Sequence, residues 1–301
     1  MVVPATNFGA AFPNVGYRGI RNILNEYRVN YTKYTIIQSS DVKKKLEALE
    51  ITKDEATVVS IDAVCMYPSI TCKMVRKAIY YFLSQSTKEV NDEDRKTIDK
   101  CLDLIQFGMG STFLAFADQY YEYDGLVEVE DRGLTIGGYE SAWLADLVVS
   151  FIFENTTQHF EDAMCNGCYR DDELGVFKGN KSRDEMLMWL EDFQNTINLL
   201  LESENLQFTL TLWKPGEPDE RYHKKIKVCS NEAFPFLDLE MFWKKGELNH
   251  RVHLKENQKL KYLNRESSHT HACFKAIPNG VLGQLATITT YNDETKHKKN
   301  E

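Results

Sequence analysis

The sequence predicts an α+β fold in which an antiparallel sheet is backed by helices. Two segments and one ordering carry the prediction. Residues 207–213, QFTLTLW, alternate strictly, with Phe208, Leu210 and Leu212 on one face, as a half-buried strand does. Residues 182–204 keep Met186, Trp189, Phe193, Ile197 and Leu200 on one helical face, behind a Ser182/Glu185 capping box. The elements follow in the order β-αα-ββ-α-ββ-α-β-β, which describes such a sheet and its helices.

Taken in order, residues 1–34 carry Pro4, Gly9, Pro13, Gly16 and Gly19 and read as irregular structure before a helix. SSDVKKKLEALE (39–50) opens on Ser/Asp and keeps a 3.6-residue apolar beat, so it is a helix. ATVVSID (56–62) is a β-branched run ending at Asp62 and reads as a buried strand. Helical patterns cover 72–85 and 92–107, the second with acids in its first turn. TFLAFA and QYYEYDGLVEVE are strand-like, with Asp124-Gly125 as a hairpin turn. Residues 133–154 pass from a glycine-rich turn into an apolar helix, and CYRDDELGVF (168–177) joins two short β-like runs. FPFLDLEMFW (234–243) reads as one more strand, and from about residue 250 the tail is basic and less regular.

The 301 residues, 43% of them apolar, suffice for one large domain or two small ones with a sizeable core. A net charge of −9, from 36 basic and 45 acidic residues, does not advertise nucleic-acid binding, which runs on Lys and Arg contacts to phosphate. Any such surface must be local, and the candidates are HKKIK (223–227) and the tail residues Arg251, Lys255, Lys259, Lys261 and Arg265. The start, MVVPATNFGAAFPNVG, has no basic n-region or long apolar core, and LADLVVSFIF (144–153) contains Asp146 and is too short to cross a bilayer. The expectation is an intracellular protein, nuclear or cytoplasmic, with reduced thiols and no membrane partner. Among seven cysteines, Cys165 and Cys168 in CNGC have ligand spacing, but no second pair completes a zinc site. Asn166-Gly167 between them reads as the tip of a tight turn.

The chemistry lies in the carboxylates. Asp62 closes one strand, and Asp171 and Asp172 stand at a hairpin tip beginning 109 positions later. If those strands are neighbours, three acids converge. Convergent acids without basic partners call for a cation, and hard oxygen ligands select Mg²⁺ or Mn²⁺. Two such ions ~3.5–4 Å apart activate an attacking oxygen and stabilise a leaving one, which is phosphoryl-transfer chemistry. The plainer reading of RDDE is an acidic, solvated turn.

Longer segments around these acids resemble reverse transcriptases. SIDAVCMYPSI (60–70) resembles their motif A, and GLTIGGYESAWLAD (133–146) their motif B, with Gly133, Gly137, Ser141 and Ala145 in the family's places. YRDD (169–172) resembles the motif C box, and FLDLEMFW (236–243) the strand after motif D. YLNRESSHTHACFKAIPNGVLGQL (262–285) resembles a segment that follows the palm in Penelope-like retroelements. Order and spacing agree across roughly residues 35–285.

The resemblance implies a right-hand polymerase palm with reduced fingers and the start of a thumb. It divides the chain into a partial fingers or entry segment (1–56), a palm (57–245) with a helical insert at 72–110, and a thumb-like or connection segment (246–301). It implies RNA-directed DNA synthesis: transfer of a nucleotide from a dNTP to a DNA primer 3′-OH on an RNA template, with two Mg²⁺ ions, or Mn²⁺. Asp62 and Asp171 would hold the ions, Ala63 would lend a backbone carbonyl, and Asp172 would add an acid beside the primer end. Tyr67 falls on the steric-gate position, and Gly137, Gly138 and Tyr169 lie where the nucleotide approaches. Lys255, Lys259, Lys261 and Arg265 would meet the nucleic acid, and Lys214 is the candidate for the motif D proton donor.

The sequence also departs from the family. The start at MVVPATN leads to the expectation that most of the fingers are missing. Glu130 stands where Penelope-like relatives tend to have Gln, Gly138-Tyr139-Glu140 replaces Ser-Pro-Leu, and Glu173 and Gly175 occupy a hairpin arm that is normally apolar. These departures support an alternative: an inactive, reverse-transcriptase-derived remnant that binds nucleic acid or protein. MYPSI is also similar to motif A of family B DNA polymerases, whose other sequence marks are absent.

Overall fold

The computed structural model describes residues 2–4, 7–33, 35, 38–49, 51–110, 112–116, 119–122, 131–136, 138, 140–218, 220–253 and 270–289. The first elements are β1 (Val2–Pro4), α1 (Asn7–Glu26), α2 (Ser39–Glu47), β2 (Ala56–Val64), α3 (Met66–Ser69), α4 (Cys72–Ser84) and α5 (Asp92–Gly110). Then come β3 (Thr112–Phe116), β4 (Gln119–Glu122), α6 (Ser141–Asn155), β5 (Ala163–Tyr169), β6 (Asp172–Lys178), α7 (Arg183–Leu201) and β7 (Gln207–Trp213). The last are β8 (Arg221–Tyr222), β9 (Ile226–Cys229), β10 (Ala233–Phe236), β11 (Leu239–Lys244), β12 (Glu247–Val252) and α8 (His271–Ile288). The chain forms two units, one of residues 1–35, 62–161 and 187–209, the other of 36–61, 162–186 and 210–301.

In the first unit, the segment expected to be irregular is instead the 20-residue helix α1, with Pro13 and three glycines inside it. Gly16 and Gly19 are packing notches. A Cβ at Gly16 would stand 2.4 Å from the Cys101 carbonyl oxygen, and one at Gly19 would stand 2.5 Å from Cys101 Sγ. A helix with no side chain there lets α5 approach backbone to backbone, and tertiary contact overrides glycine's poor helix propensity. Helices α4 and α6 bury Ile79, Phe82, Leu144, Val148 and Phe151. Trp143 packs edge-on against Tyr17 and Tyr31, with ring centroids 5.1 and 5.8 Å away. A three-stranded antiparallel sheet, β1-β3-β4, completes the described part of this unit. The Asp124-Gly125 turn lies outside the described residues.

The second unit holds a six-stranded sheet in the order β5-β6-β2-β7-β9-β8, to which β2 and β7 bring residues 56–61 and 210–213. It is mixed rather than antiparallel, because β7 and β9 run parallel with Leu210 opposite Ile226. The 12 residues from Lys214 to Lys225 give the chain the crossover length a parallel pair needs. Residues 234–243 form a hairpin instead of one strand, β10 turning into β11 at Leu237, whose φ is 53°. The tail is more regular than expected, since β12 pairs with β11 and α8 follows.

One apolar cluster joins this unit, with Val42 and Leu46 of α2 packed among Val58, Leu174, Val176, Trp213, Phe234, Leu239 and Met241. The capping box of α7 is present: Ser182 N–H donates to Glu185 Oε2 at 2.7 Å and Glu185 N–H donates to Ser182 Oγ at 3.2 Å. Asn166-Gly167 is not a turn. Both residues lie inside β5, opposite Gly175 and Leu174. Cys165 and Cys168, three apart on an extended strand, therefore point to opposite faces and make no ligand pair. Burial pushes the Cys165 thiol up to about 11. No helix among the described residues is long and apolar enough to cross a membrane.

Candidate active site

Strand β2 carries Asp62 and Ala63 near its end, Asp62 exposed and Ala63 buried. Its alternation explains this: Ala56 and Val58 face the apolar cluster, and the same face runs on to Ser60 and Asp62 as the strand leaves the core. The chain then breaks at Cys65, whose φ of 49° is left-handed, and enters the short turn α3 with Tyr67 half-buried on it.

Residues 67–71 and 133–134 meet at that turn. Leu134 N–H donates to the Tyr67 carbonyl at 2.8 Å and to the Ile70 carbonyl at 3.1 Å, and Gly133 bridges to Thr71. A Cβ at Gly133 would lie 1.9 Å from the Pro68 carbonyl oxygen, so only glycine fits. Gly138 N–H closes a turn on the Thr135 carbonyl at 3.0 Å, just before α6. Beside it Glu140 is buried, and burial raises its carboxyl above the ordinary range. Gly137 and Glu130 lie outside the described residues.

The YRDD box sits on the β5–β6 hairpin, as expected. Tyr169 ends β5, Asp172 begins β6 opposite it, and Arg170-Asp171 make the two-residue turn, with Arg170 at φ 56°. Asp171 is exposed and Asp172 half-buried. The Arg170 guanidinium lies 5.8 Å from the centre of the Tyr169 ring, which packs against the apolar cluster. Glu173 is the misfit. It is 3% exposed, both carboxyl oxygens are buried without a hydrogen-bond partner among the described residues, and burial drives its pKa well above the ordinary range.

Within the second unit, β6 lies directly beside β2. Gly179 N–H donates to the Glu55 carbonyl at 2.7 Å, and Thr57 Oγ1 donates to the Gly179 carbonyl at 2.7 Å. A Cβ at Gly175 would stand 3.1 Å from Val59 Cγ2. Residue numbers thus rise on β2 as they fall on β6, and the two strands are antiparallel.

Among the described residues, no three His, Cys, Asp or Glu side chains gather closely enough to hold a metal ion. The donors themselves suit Mg²⁺ or Mn²⁺: exposed or half-exposed carboxylates, with no thiol or imidazole among them. Mg²⁺ asks the protein for only one or two carboxylates and takes its other oxygens from substrate phosphates and water.

The basic candidates divide. Lys255, Lys259, Lys261 and Arg265 lie outside the described residues. HKKIK forms the β8–β9 hairpin at the sheet edge, where Arg221, Lys224, Lys225 and Lys227 are exposed. Exposed lysines also guard an edge strand against unwanted pairing. Lys214, the candidate for the motif D proton donor, follows β7. It shares a cleft with Asp54 and Ala56, at the start of β2. Sequence reasoning did not find that cleft; its only signal was the Trp-Lys-Pro-Gly run that ends an alternating strand.

No protein-family model matches the sequence, and no curated protein does. Solved structures do match. Apo telomerase from Candida tropicalis superposes with a TM-score of 0.50 at 11% identity, over 77% of this chain and 40% of that one. A form of the same telomerase truncated of its C-terminal domain gives 0.47 at 12% identity, over 76% and 44%. Telomerase from Candida albicans, in complex with a TWJ fragment of telomeric RNA, gives 0.48 at 12% identity, over 81% and 39%. The chain spans less than half the length of each. At such identity the first likeness shows the fold alone, and that fold is reverse-transcriptase-like.

Proposed function

We propose that the chain is a nucleotidyltransferase of the reverse transcriptase kind, closest to those of Penelope-like retroelements. It transfers a nucleotide from a dNTP to the 3′-OH of a DNA primer paired with an RNA template, inside the cell. The observation that carries the reading is the antiparallel register of β6 on β2. Within the second unit that register sets the YRDD hairpin on the strand beside β2.

In this reading Asp62, Asp171 and the Ala63 carbonyl hold two Mg²⁺ or Mn²⁺ ions, with Asp172 as a further acid. When bound, the ions supply Lewis-acid activation of the primer hydroxyl and neutralise charge on the leaving pyrophosphate. Tyr67 packs against the sugar and excludes a 2′-hydroxyl by bulk. Gly137, Gly138 and Tyr169 let the nucleotide approach the backbone closely. Lys255, Lys259, Lys261 and Arg265 neutralise template and primer phosphates.

Primer extension tests this. Asp171→Asn is expected to cut extension of a primed RNA by at least about 100-fold, the scale of losing a positioned catalytic group, with an unchanged circular dichroism spectrum. Equal extension by variant and wild type would refute the assignment. A second reading, an inactive nucleic-acid-binding remnant, is favoured by the net charge of −9 and by the lack of a gathered acidic trio among the described residues. Wild-type protein that never extends a primed RNA, yet shifts it on a gel at low salt, would select that reading.

A further inference from the structure

We propose that Gly133 and Leu134 are positioning residues for Tyr67: they hold the α3 turn at a fixed height and so set how sharply the site tells a deoxynucleotide from a ribonucleotide. This rests on the polymerase reading, in which Tyr67 packs against the sugar, and adds to it the residues that keep that ring in place.

The turn needs support from outside. Helix α3 is four residues long, and a single helical turn fixes several dihedral angles for little hydrogen bonding in return. It opens at Cys65, whose φ of 49° lies in the left-handed region that disfavours a residue with a Cβ. Within it, Ser69 N–H donates to the Cys65 carbonyl at 3.2 Å and Ile70 N–H to the Met66 carbonyl at 3.1 Å. Met66 and Ile70 are buried, but Tyr67 is only half-buried. Its ring stands on the backbone of the turn, so whatever fixes that backbone fixes the height of the ring.

Residues 133–134 fix it. The Leu134 N–H is shared between the Tyr67 carbonyl, at 2.8 Å, and the Ile70 carbonyl, at 3.1 Å. The Leu134 side chain is buried, so this donor is anchored in the core. Thr71, bridged to Gly133, also caps α4, its Oγ1 accepting from the Met74 N–H at 3.4 Å. All these residues belong to the first unit.

Gly133 sets the spacing. Its φ lies outside the left-handed region, so its backbone conformation is open to alanine. What demands glycine is the turn: a Cβ would lie 1.9 Å from the Pro68 carbonyl oxygen, 2.2 Å from the carbonyl carbon and 2.5 Å from Pro68 Cα. These are backbone atoms next to Tyr67, and none can swing aside as a side chain would. To restore a contact of at least 3.0 Å, an alanine must push the two segments apart by about 1 Å. A misplacement of ~1 Å at a positioning contact can cost about 100-fold.

Primer extension and hydrogen exchange on the same proteins test the proposal. The first readout is the ratio of kcat/KM for dATP to that for ATP, on a primed RNA whose next template base is uracil. Gly133→Ala is expected to lower this ratio at least about 10-fold, because a displaced ring no longer meets the 2′-hydroxyl squarely. In a Tyr67→Ala background, which has already lost the ring, the same substitution is expected to change the ratio by less than about 2-fold, since the two residues act through one contact. Amides 66–71 are expected to exchange faster in Gly133→Ala than in wild type. An unchanged ratio in Gly133→Ala, or an equal loss with and without Tyr67, would overturn the proposal. Wild-type protein that extends no primer would overturn the polymerase reading and the sugar choice with it; exchange then decides the positioning, which falls if amides 66–71 are unaffected by Gly133→Ala. If that variant misfolds, an ester in place of the Leu134 amide removes the shared donor and adds no atom at residue 133, with the same losses expected and the same refuting results.

Discussion

Lowering the pH from 7.5 to 5.5 tests the junction that holds α8. His250 on β12 is 1% exposed. Its Nδ1 lies 2.7 Å from the Ile288 carbonyl, which only accepts, so Nδ1 carries the proton and ties down the end of α8. Helix α2 faces the ring with Glu47, whose Oε1 is 3.9 Å from Nε2, and with Lys43; Met241 of β11 pairs with it across the sheet. Burial is the leading influence and holds the imidazole pKa below its ordinary value, outweighing Glu47. The unfolded chain, with a His pKa of about 6.5, therefore takes up the proton first as pH falls. Stability from this residue is fully present above about pH 6.5 and is lost as pH falls toward the folded pKa. At pH 5.5 the loss reaches at most about 1.4 kcal/mol. With a urea slope of about 3 kcal/mol/M, that is roughly 0.5 M in the unfolding midpoint.

His250→Gln keeps an amide donor and removes the titration. Urea unfolding of wild type and variant at pH 7.5 and 5.5, followed by circular dichroism, gives the difference. Hydrogen exchange of residues 271–288 locates it, with protection of α8 falling at the lower pH in wild type alone. Acids paired elsewhere lose stability equally in both proteins and cancel. Parallel pH dependence in the two proteins would refute the reasoning.

Two further substitutions probe the packing. Gly16→Ala places a methyl 2.4 Å from the Cys101 backbone oxygen and 3.1 Å from Ile105 Cγ1, so it is expected to destabilise by about 1–3 kcal/mol despite alanine's better helix propensity; a neutral or higher thermal midpoint would contradict the close α1–α5 packing. Glu173→Leu replaces a buried acid that lacks hydrogen-bond partners among the described residues, and is expected to stabilise by about 1–3 kcal/mol in urea unfolding; a lower midpoint would mean that the acid has a partner in solution.

The local code was legible wherever one period dominated. The alternation of Phe208, Leu210 and Leu212 foretold β7, Ser182 and Glu185 foretold the start of α7, and the acid-rich turn foretold the hairpin tip at Arg170-Asp171. These signals work because each depends on residues within one turn of helix or one strand. What the sequence could not decide depended on distant partners. Gly16 and Gly19 look like helix breakers until α5 lies against them, and then their missing side chains are what permits the contact. The parallel entry of β9 and the Trp213–Trp243 stack each require strands that are not neighbours in sequence to be brought together first. Side-chain period is set by bonds along the chain, so sequence alone carries it; register, crossover and cleft are set by contacts across space, and only the tertiary structure decides them.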